Sequence, residues 1–592
     1  LSAKLIERLG LAPAVQSLVQ RLEQEDYCAC EGVAPSGLAV LVAALSQRMP
    51  RQTWVIVADG VKFQEQLEQD LTTWLELARQ AVAEEPEVMR QPVLYYPGWE
   101  ILPHESKLPH ADVISDRLAT LVYLDRMTTG AALPPPIVVT EGKALLQRTF
   151  PPGELRERIR HVQRDDALDP LDLIEWLESQ GYEPEAKVTQ KGELALRGGI
   201  LDVYPLTTPW PVRLEFFGSE LESLRWFDPV TQLSRDAIEE VTFSPGGELG
   251  LLKRRVDSAK SGESLPGLGS LVDHLPPRAR LVFCEPERLA ETARRYLDQQ
   301  PAGNPYFLTW EEVCRGIADT AVCRLDVREG LPEQSWLASL ETFRPMETAK
   351  ADLPVAERQR REFFAQLHRW MRQHFLVSIF CNNDGERQRF EEIWRDYGFD
   401  PHADSSSEER VHPDAQAAEP PESRPFLAHG ALSSGFICAE AKLVVVTDAE
   451  VFGRYKVARP RRLRSPHAQA MGSAWEINFS DLDEGDYVVH LQYGIGRFLG
   501  LQVLPATPSR RSQKVTGEES ADTGTQECLV IEYAPRDNEQ QPPKLYVPVT
   551  EAHLVSKYVG AGKARPQLNT LGGTRWIKAK AQAAEAVRDL AG

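Results

Sequence analysis

Glu31-Gly32-Val33-Ala34-Pro35-Ser36-Gly37-Leu38-Ala39 stands directly ahead of a helical run at residues 40–46. Its frame is that of a phosphate loop: Gly32, four residues, then Gly37. A working loop continues with a Lys that reaches the β/γ-phosphates and a Ser or Thr that holds Mg2+. Leu38 and Ala39 occupy those two positions here. Both charge-handling side chains are missing, which leaves backbone N–H groups as a weak cradle for an anion. Two glycines at this spacing are also what an ordinary turn at a helix start carries. A second place points the same way. A nucleotide hydrolase ends a buried strand in Asp-Glu to manage metal and water, whereas the strand at 281–283 runs into Cys284-Glu285-Pro286-Glu287. Glu285 and Glu287 fit as first-turn helix acids, favoured by the helix dipole.

The surroundings of the loop read as α/β. Residues 53–58 and 136–140 are short apolar runs suited to buried strands. Between them Phe63, Leu67, Leu71, Trp74 and Leu75 recur at helical spacing. Strands alternating with helices imply a parallel sheet. From about Asp165 to Gly246 the character changes to a short helix (171–179) followed by strands at 199–204 and 212–217, a small α+β insert. Residues 281–284 return to the buried-strand style. Strands at 375–381 and 442–447 flank a helix at 385–397 and suggest another small α/β domain. Residues 401–425, rich in Ser, Glu, Pro and Ala, read as a disordered loop within it. The basic run Arg454, Lys456, Arg459, Arg461, Arg462 and Arg464 reads as a solvated linker, with a nucleic-acid contact as the alternative. Residues 485–559 are all-β with a polar loop at 505–526. After Gly572-Gly573 a helix starts, with Thr574 as N-cap. It is still helical at Arg588-Asp589-Leu590, so Gly592 reads as an artificial or proteolytic end.

Composition bounds the rest. A chain of 592 residues is too long for one core and implies about three to five domains. No apolar run approaches the roughly 18 residues of a membrane span, and residues 1–10 lack the pattern of a signal peptide. A cytoplasmic protein is expected. Eight cysteines are scattered; Cys28 and Cys30 form the one close pair, with no second pair or His cluster to complete a metal site. Buried thiols in a reducing compartment are expected. The net charge of −20 repels a polyanionic duplex on average, so protein partners are favoured over DNA.

The order of these pieces resembles the UvrB-like part of the transcription-repair coupling factor (Mfd) family. The insert carries Lys191-Gly192-Glu193-Leu194-Ala195-Leu196-Arg197-Gly198-Gly199-Ile200-Leu201-Asp202-Val203-Tyr204-Pro205, then residues 213–217 and 223–229. These are similar to the UvrA-binding domain shared by UvrB and Mfd. The resemblance makes Arg197 a UvrA contact, framed by Gly198, Tyr204, Arg213 and Phe216. UvrB has a further Arg where Ala195 stands. UvrB's aromatic hairpin for opening DNA has no room between Trp99 and Asp112, which favours Mfd. In the all-β segment, residues 484–490, 493–501, 528–533 and 544–549 resemble the RNA polymerase interaction domain shared by Mfd and CarD-type regulators. The terminal Leu571-Gly572-Gly573-Thr574-Arg575-Trp576 is similar to the helix that links this domain to the Mfd motor.

The resemblance implies a multidomain α/β protein. A UvrB-like degenerate P-loop domain (1–150) is followed by a UvrA-binding insert (151–247) and the second part of the core (248–345). A small α/β domain (346–455), a linker (456–478), an SH3/Tudor-like polymerase interaction barrel (479–562) and a linker helix (563–592) complete the chain. It implies an adaptor in transcription-coupled nucleotide excision repair, expected to be a monomer, that binds the RNA polymerase β subunit and recruits UvrA. Catalytic residues, cofactors and metal are expected to be absent from this chain. ATP, Mg2+ and DNA are expected only at the motor of the full-length family protein. The polymerase site is expected on Cys528, Leu529, Val530, Ile531 and Glu532, a strand with alternating outward residues that could present an open edge to a partner strand; a barrel strand paired on both edges is the alternative reading. Two other functions compete. A UvrB-like helicase or ATPase is opposed by Leu38 and Ala39. A CarD-like transcription regulator is opposed by the long region that precedes the β domain.

Overall fold

Five consecutive residues shielded from water, Trp54–Ala58, form a central strand of the first unit's main sheet. A strand buried on both faces needs cover on both sides, the situation of a parallel α/β sheet. The computed structural model describes residues 2–79, 91–100, 108–259, 267–301, 303–331, 335–343, 353–382, 384–396, 425–447, 450–451, 485–490, 494–505, 525–535, 542–548, 555–557 and 568. They fall into two units, Leu1–Arg461 and Arg462–Gly592.

The main sheet runs in the order Tyr27–Glu31, Cys323–Arg328, Arg280–Cys284, Trp54–Ala58, Ile137–Glu141, Val93–Tyr96, with every neighbouring pair parallel. One face packs Ile56, Ala58, Val139, Val282 and Leu325 under the helices Pro13–Gln24, Pro35–Arg48 and Val61–Arg79. The other packs Val55, Val57, Val138, Leu281 and Phe283 under Ala111–Thr128, Pro286–Asp298 and Trp310–Asp319. The helix Pro35–Arg48 has Pro35 in its first turn, where a missing N–H costs nothing, and buries every residue from Gly37 to Ser46. Such an all-round apolar helix belongs inside a protein.

The insert leaves and rejoins this core through a two-stranded ribbon, Arg160–Gln163 antiparallel to Glu240–Phe243. Its own sheet has the order Ser234–Ile238, Glu220–Phe227, Val212–Phe217, Ile200–Val203, Glu193–Arg197, Glu183–Pro184, antiparallel except for the last pair. Leu173 and Leu177 of the helix Pro170–Ser179 cover one sheet face, on Leu201, Val203 and Leu214. Where the chain re-enters the core, Glu248 meets Arg117 with both side chains sealed from water.

The small α/β sheet has the order Leu337–Ser339, Phe436–Cys438, Leu443–Val446, Leu376–Cys381, Phe426–His429. Its first strand comes from residues assigned by sequence to the core (248–345), so the two regions interlock there. Three residues are too few to display a strand period, and their partner lies far along the chain. One face of this sheet, with Phe436, Leu443 and Val445, shares the apolar cluster of Trp74 and Leu38.

In the second unit five antiparallel strands run in the order Lys544–Pro548, Thr525–Glu532, Gly494–Pro505, Tyr487–His490, Val555–Lys557. Their core is Val488, Phe498, Leu529, Ile531, Tyr533 and Val547. Gly496 is required where it stands, because an added Cβ would lie 2.4 Å from the Ile531 side chain. Most of the 401–425 loop, the basic run from Arg454 to Arg464, the linker at 456–478, most of the 505–526 loop and the terminal helix lie outside the described residues.

Candidate functional sites

At the phosphate-loop position the backbone is already engaged. Gly32 sits at φ 80°, and the N–H groups that follow it donate to protein carbonyls: Val33 to Arg328 O at 3.1 Å and Ala34 to Leu337 O at 2.8 Å. Residues 335–337 lie across the loop. Leu337 N donates to Gly32 O at 3.1 Å, Ser335 Oγ to Gly32 O at 3.1 Å, and Trp336 Nε1 to Glu31 O at 3.1 Å. Leu337 is fully buried, and a Cβ on Gly37 would sit 2.4 Å from its Cγ. The expected residual cradle therefore has the N–H groups of Val33, Ala34 and Gly37 spent on protein carbonyls and the space at Gly37 filled by a leucine. Leu38 and Ala39 are buried core residues. Neither could reach a ligand with its side chain.

The acids after the strand Arg280–Cys284 serve local structure. Glu285 is left-handed at φ 53° and donates its N–H to Val327 O, while its carboxylate accepts from Glu329 N at 2.7 Å. Glu287 stands in the first turn of Pro286–Asp298. The Arg328 guanidinium grips it at 2.6 Å and holds its carboxyl below the usual range.

In the insert, Arg197 closes the strand Glu193–Arg197, and Gly198-Gly199 turn the chain into Ile200–Val203. Gly198 lies at φ 62°, and a Cβ on Gly199 would fall 2.8 Å from Phe216 O, so this tight tip needs both glycines. The second hairpin tip, after Phe217, lies at the same end of the sheet, since Ile200 pairs with Glu215. Arg197 is half exposed. On its face of the sheet Ile200 is exposed, and Phe217, at 74%, is the most exposed large apolar side chain among the described residues; the exposed Leu196, opposite Leu201, belongs to the other face. Ile200 and Phe217 set exposed apolar side chains beside the arginine. Arg213 is largely covered, its guanidinium 4.7 Å above the Phe227 ring. Tyr204 and Phe216, expected as contacts, are buried instead. Tyr204 donates its hydroxyl to Pro209 O at 2.9 Å, and Phe216 joins the core under the helix Pro170–Ser179. They support the surface from behind. Sequence reasoning passed over Asp202, a buried acid gripped by both arginines. Its one sequence signal is a charge in an otherwise apolar strand.

The expected polymerase strand is not an edge. Thr525–Glu532 pairs with Gly494–Pro505 on one side and with Lys544–Pro548 on the other. Leu529 and Ile531 are fully buried and Val530 nearly so, while Glu532 is tied to Arg497 at 2.7 Å. Cys528 pairs opposite Gln502 on one side and Pro548 on the other. The alternation of Leu529 and Ile531 marks the inward face of a central strand. Among the described residues, the strand paired on one side only and facing outward next to it is Lys544–Pro548, which carries the exposed Tyr546.

No group of His, Cys, Asp and Glu among the described residues could hold a metal ion, and no helix there is long and apolar enough to cross a membrane.

Comparison with known proteins matches these two regions. Residues 161–248 match the family described as the UvrB interaction domain, and residues 482–559 the family described as the CarD-like/TRCF RID domain. Over 572 residues the chain is 27% identical to a transcription-repair-coupling factor of Haemophilus influenzae, covering 85% of this chain and 44% of that protein. It is 26% identical over 626 residues to the corresponding factor of Bacillus subtilis, covering 95% and 47%. To that of Escherichia coli it is 27% identical over 547 residues, covering 85% and 44%. The chain spans a little under half the length of these relatives and is similar to them over most of its own.

Proposed function

We propose that this chain is the partner-binding part of a transcription-repair coupling factor, which tethers RNA polymerase through its second unit and recruits UvrA through the insert of its first. The observation that carries this reading is the presence, in one chain, of a UvrB interaction domain and a CarD-like/TRCF RID domain. The geometry supports a division of labour. The insert offers an arginine beside the exposed apolar Ile200 and Phe217, a surface suited to a protein partner. The β unit offers the Lys544–Pro548 edge, where a strand of the polymerase β subunit can add with backbone hydrogen bonds while Tyr546 supplies side-chain contact.

The filled loop at Gly32–Gly37 supports a non-catalytic role for this part of the protein, with ATP hydrolysis and DNA translocation belonging to the longer relatives' remaining length. Size-exclusion co-elution of the chain with UvrA, and separately with the polymerase β subunit, tests the reading. Both complexes are expected without ATP or DNA. Tyr546→Glu is expected to remove the polymerase complex and spare the UvrA complex, because the side chain is exposed and the fold does not need it. Failure of the unsubstituted chain to co-elute with either partner would refute the adaptor reading.

A further inference from the structure

Asp202 lies in the strand Ile200–Val203 with its carboxylate almost wholly buried. Its Oδ1 accepts from Arg213 Nε at 2.7 Å, and its Oδ2 accepts from Arg213 Nη2 at 2.9 Å and from Arg197 Nη2 at 3.2 Å. The strand register explains the set. Asp202 faces Arg213 directly across one edge and Ala195 directly across the other. Ala195 has nothing to donate, so the remaining lone pairs of Oδ2 are met diagonally by Arg197, two residues along that strand.

The two arginines are engaged to different degrees. Arg213 is bidentate to Asp202, lies over the Phe227 ring and directs Nη1 toward Gln232 O and Ser234 Oγ, both at 3.4 Å. It is a fixed brace. Arg197 gives one hydrogen bond to Asp202 and leaves about half of its side chain in water, beside Ile200 and Phe217.

We propose that Asp202 is the positioning residue of the partner-binding surface: it braces Arg213 and orients the Arg197 guanidinium on the sheet before UvrA arrives. The proposal rests on the reading that the insert binds UvrA. A long arginine side chain that is free in the unbound protein must be immobilised on binding, and a prior tether lowers that cost. The tether also leaves Arg197 net attraction for an acid on the partner, because one carboxylate is shared between two guanidinium groups.

A double-mutant cycle on the full chain tests this, with UvrA affinity measured for the unsubstituted chain, Asp202→Asn, Arg197→Ala and the pair. Asp202→Asn keeps the side-chain shape and removes the charge. In the presence of Arg197 it is expected to weaken UvrA binding about tenfold, and in the Arg197→Ala background less than about twofold, because a residue that acts through another has no effect once the other is gone. Hydrogen exchange across Glu193–Arg197 and Val212–Phe217 accompanies each measurement. Equal losses in both backgrounds, together with loss of protection in those strands, would make Asp202 a support of the fold and overturn the proposal. Unchanged affinity in Asp202→Asn would overturn it as well. Absence of UvrA binding by the unsubstituted chain would instead strike the reading on which the proposal rests, and is distinguished by occurring before any substitution is made.

Discussion

Replacing Glu248 by Ala breaks the most deeply buried ion pair described in the protein. Glu248 and Arg117 are both inaccessible to water. The carboxylate accepts from Arg117 Nε at 2.6 Å and Nη2 at 3.0 Å, from Trp99 Nε1 at 3.0 Å and from Thr149 Oγ1 at 2.7 Å. The guanidinium lies 4.3 Å from the Tyr96 ring centroid and 4.9 Å from that of Trp99. Burial works against the charge of Arg117, yet the Glu248 carboxylate outweighs it and leaves the guanidinium above its ordinary pKa. Without Glu248 a buried, charged Arg117 keeps Pro97 O and Gln147 Oε1 as acceptors but loses the bidentate carboxylate that balanced it. Removing one partner of such a pair costs about 3–5 kcal/mol. Hydrogen exchange suits the measurement, because a multidomain chain has no single unfolding free energy. Exchange in Ala111–Thr128 and Ile137–Glu141 should quicken by about 10²-fold or more, at 1.4 kcal/mol per tenfold. The joint replacement Arg117→Met with Glu248→Leu should restore most of the protection, since an apolar pair of similar volume replaces a buried ion pair at little cost. A change of less than about fivefold for Glu248→Ala, well under the penalty of a stranded buried charge, or a double replacement as fast-exchanging as the single one, would refute the reasoning.

Three further outcomes are expected. Burial pushes the Asp70 carboxyl up to about 7, although Ser433 donates to it through both N–H and hydroxyl. The folded state thus binds this proton more tightly than the unfolded chain; the group costs nothing when both states are protonated, becomes destabilising as pH rises from about 4 to about 7, and is constant above that. Exchange-corrected protection of the contact between Val61–Arg79 and Ala431–Ser433 should fall as pH rises from about 4 to about 7 and level off above that, and Asp70→Asn should abolish that trend. Ile531→Arg should unfold the β unit rather than edit a surface, because its site is fully buried and desolvating a lone charge there costs several kcal/mol or more; a folded variant by circular dichroism would contradict this. A fluorescent ATP analogue should fail to saturate this chain at micromolar concentration, since Leu337 fills the loop; saturation abolished by Gly37→Arg would contradict it.

The part of this site that depends on residue type was legible in the sequence. Leu38 and Ala39 announce a loop without its cation and hydroxyl, and Arg197 with Gly198 marks a charged tip. What depends on strand order was not. Leu337 reaches the loop from the far end of the unit through a three-residue strand, which no periodicity reveals. The alternation of Leu529 and Ile531 is the same whether their strand is central or at an edge, and only the pairing with Lys544–Pro548 decides. Asp202 shows no role in the sequence, because only the register sets Arg213 opposite it.

The ribbon that carries the insert has its entering and leaving strands hydrogen-bonded to one another, Arg160 beside Phe243 and Gln163 beside Glu240. A segment whose two ends are neighbours behaves as a removable cassette. The host sheet passes from Ile137–Glu141 to Arg280–Cys284 with the head hung between them, and the contacts a transplanted head would need from a new scaffold include those of Leu206 and Lys191 with the helix Ala111–Thr128.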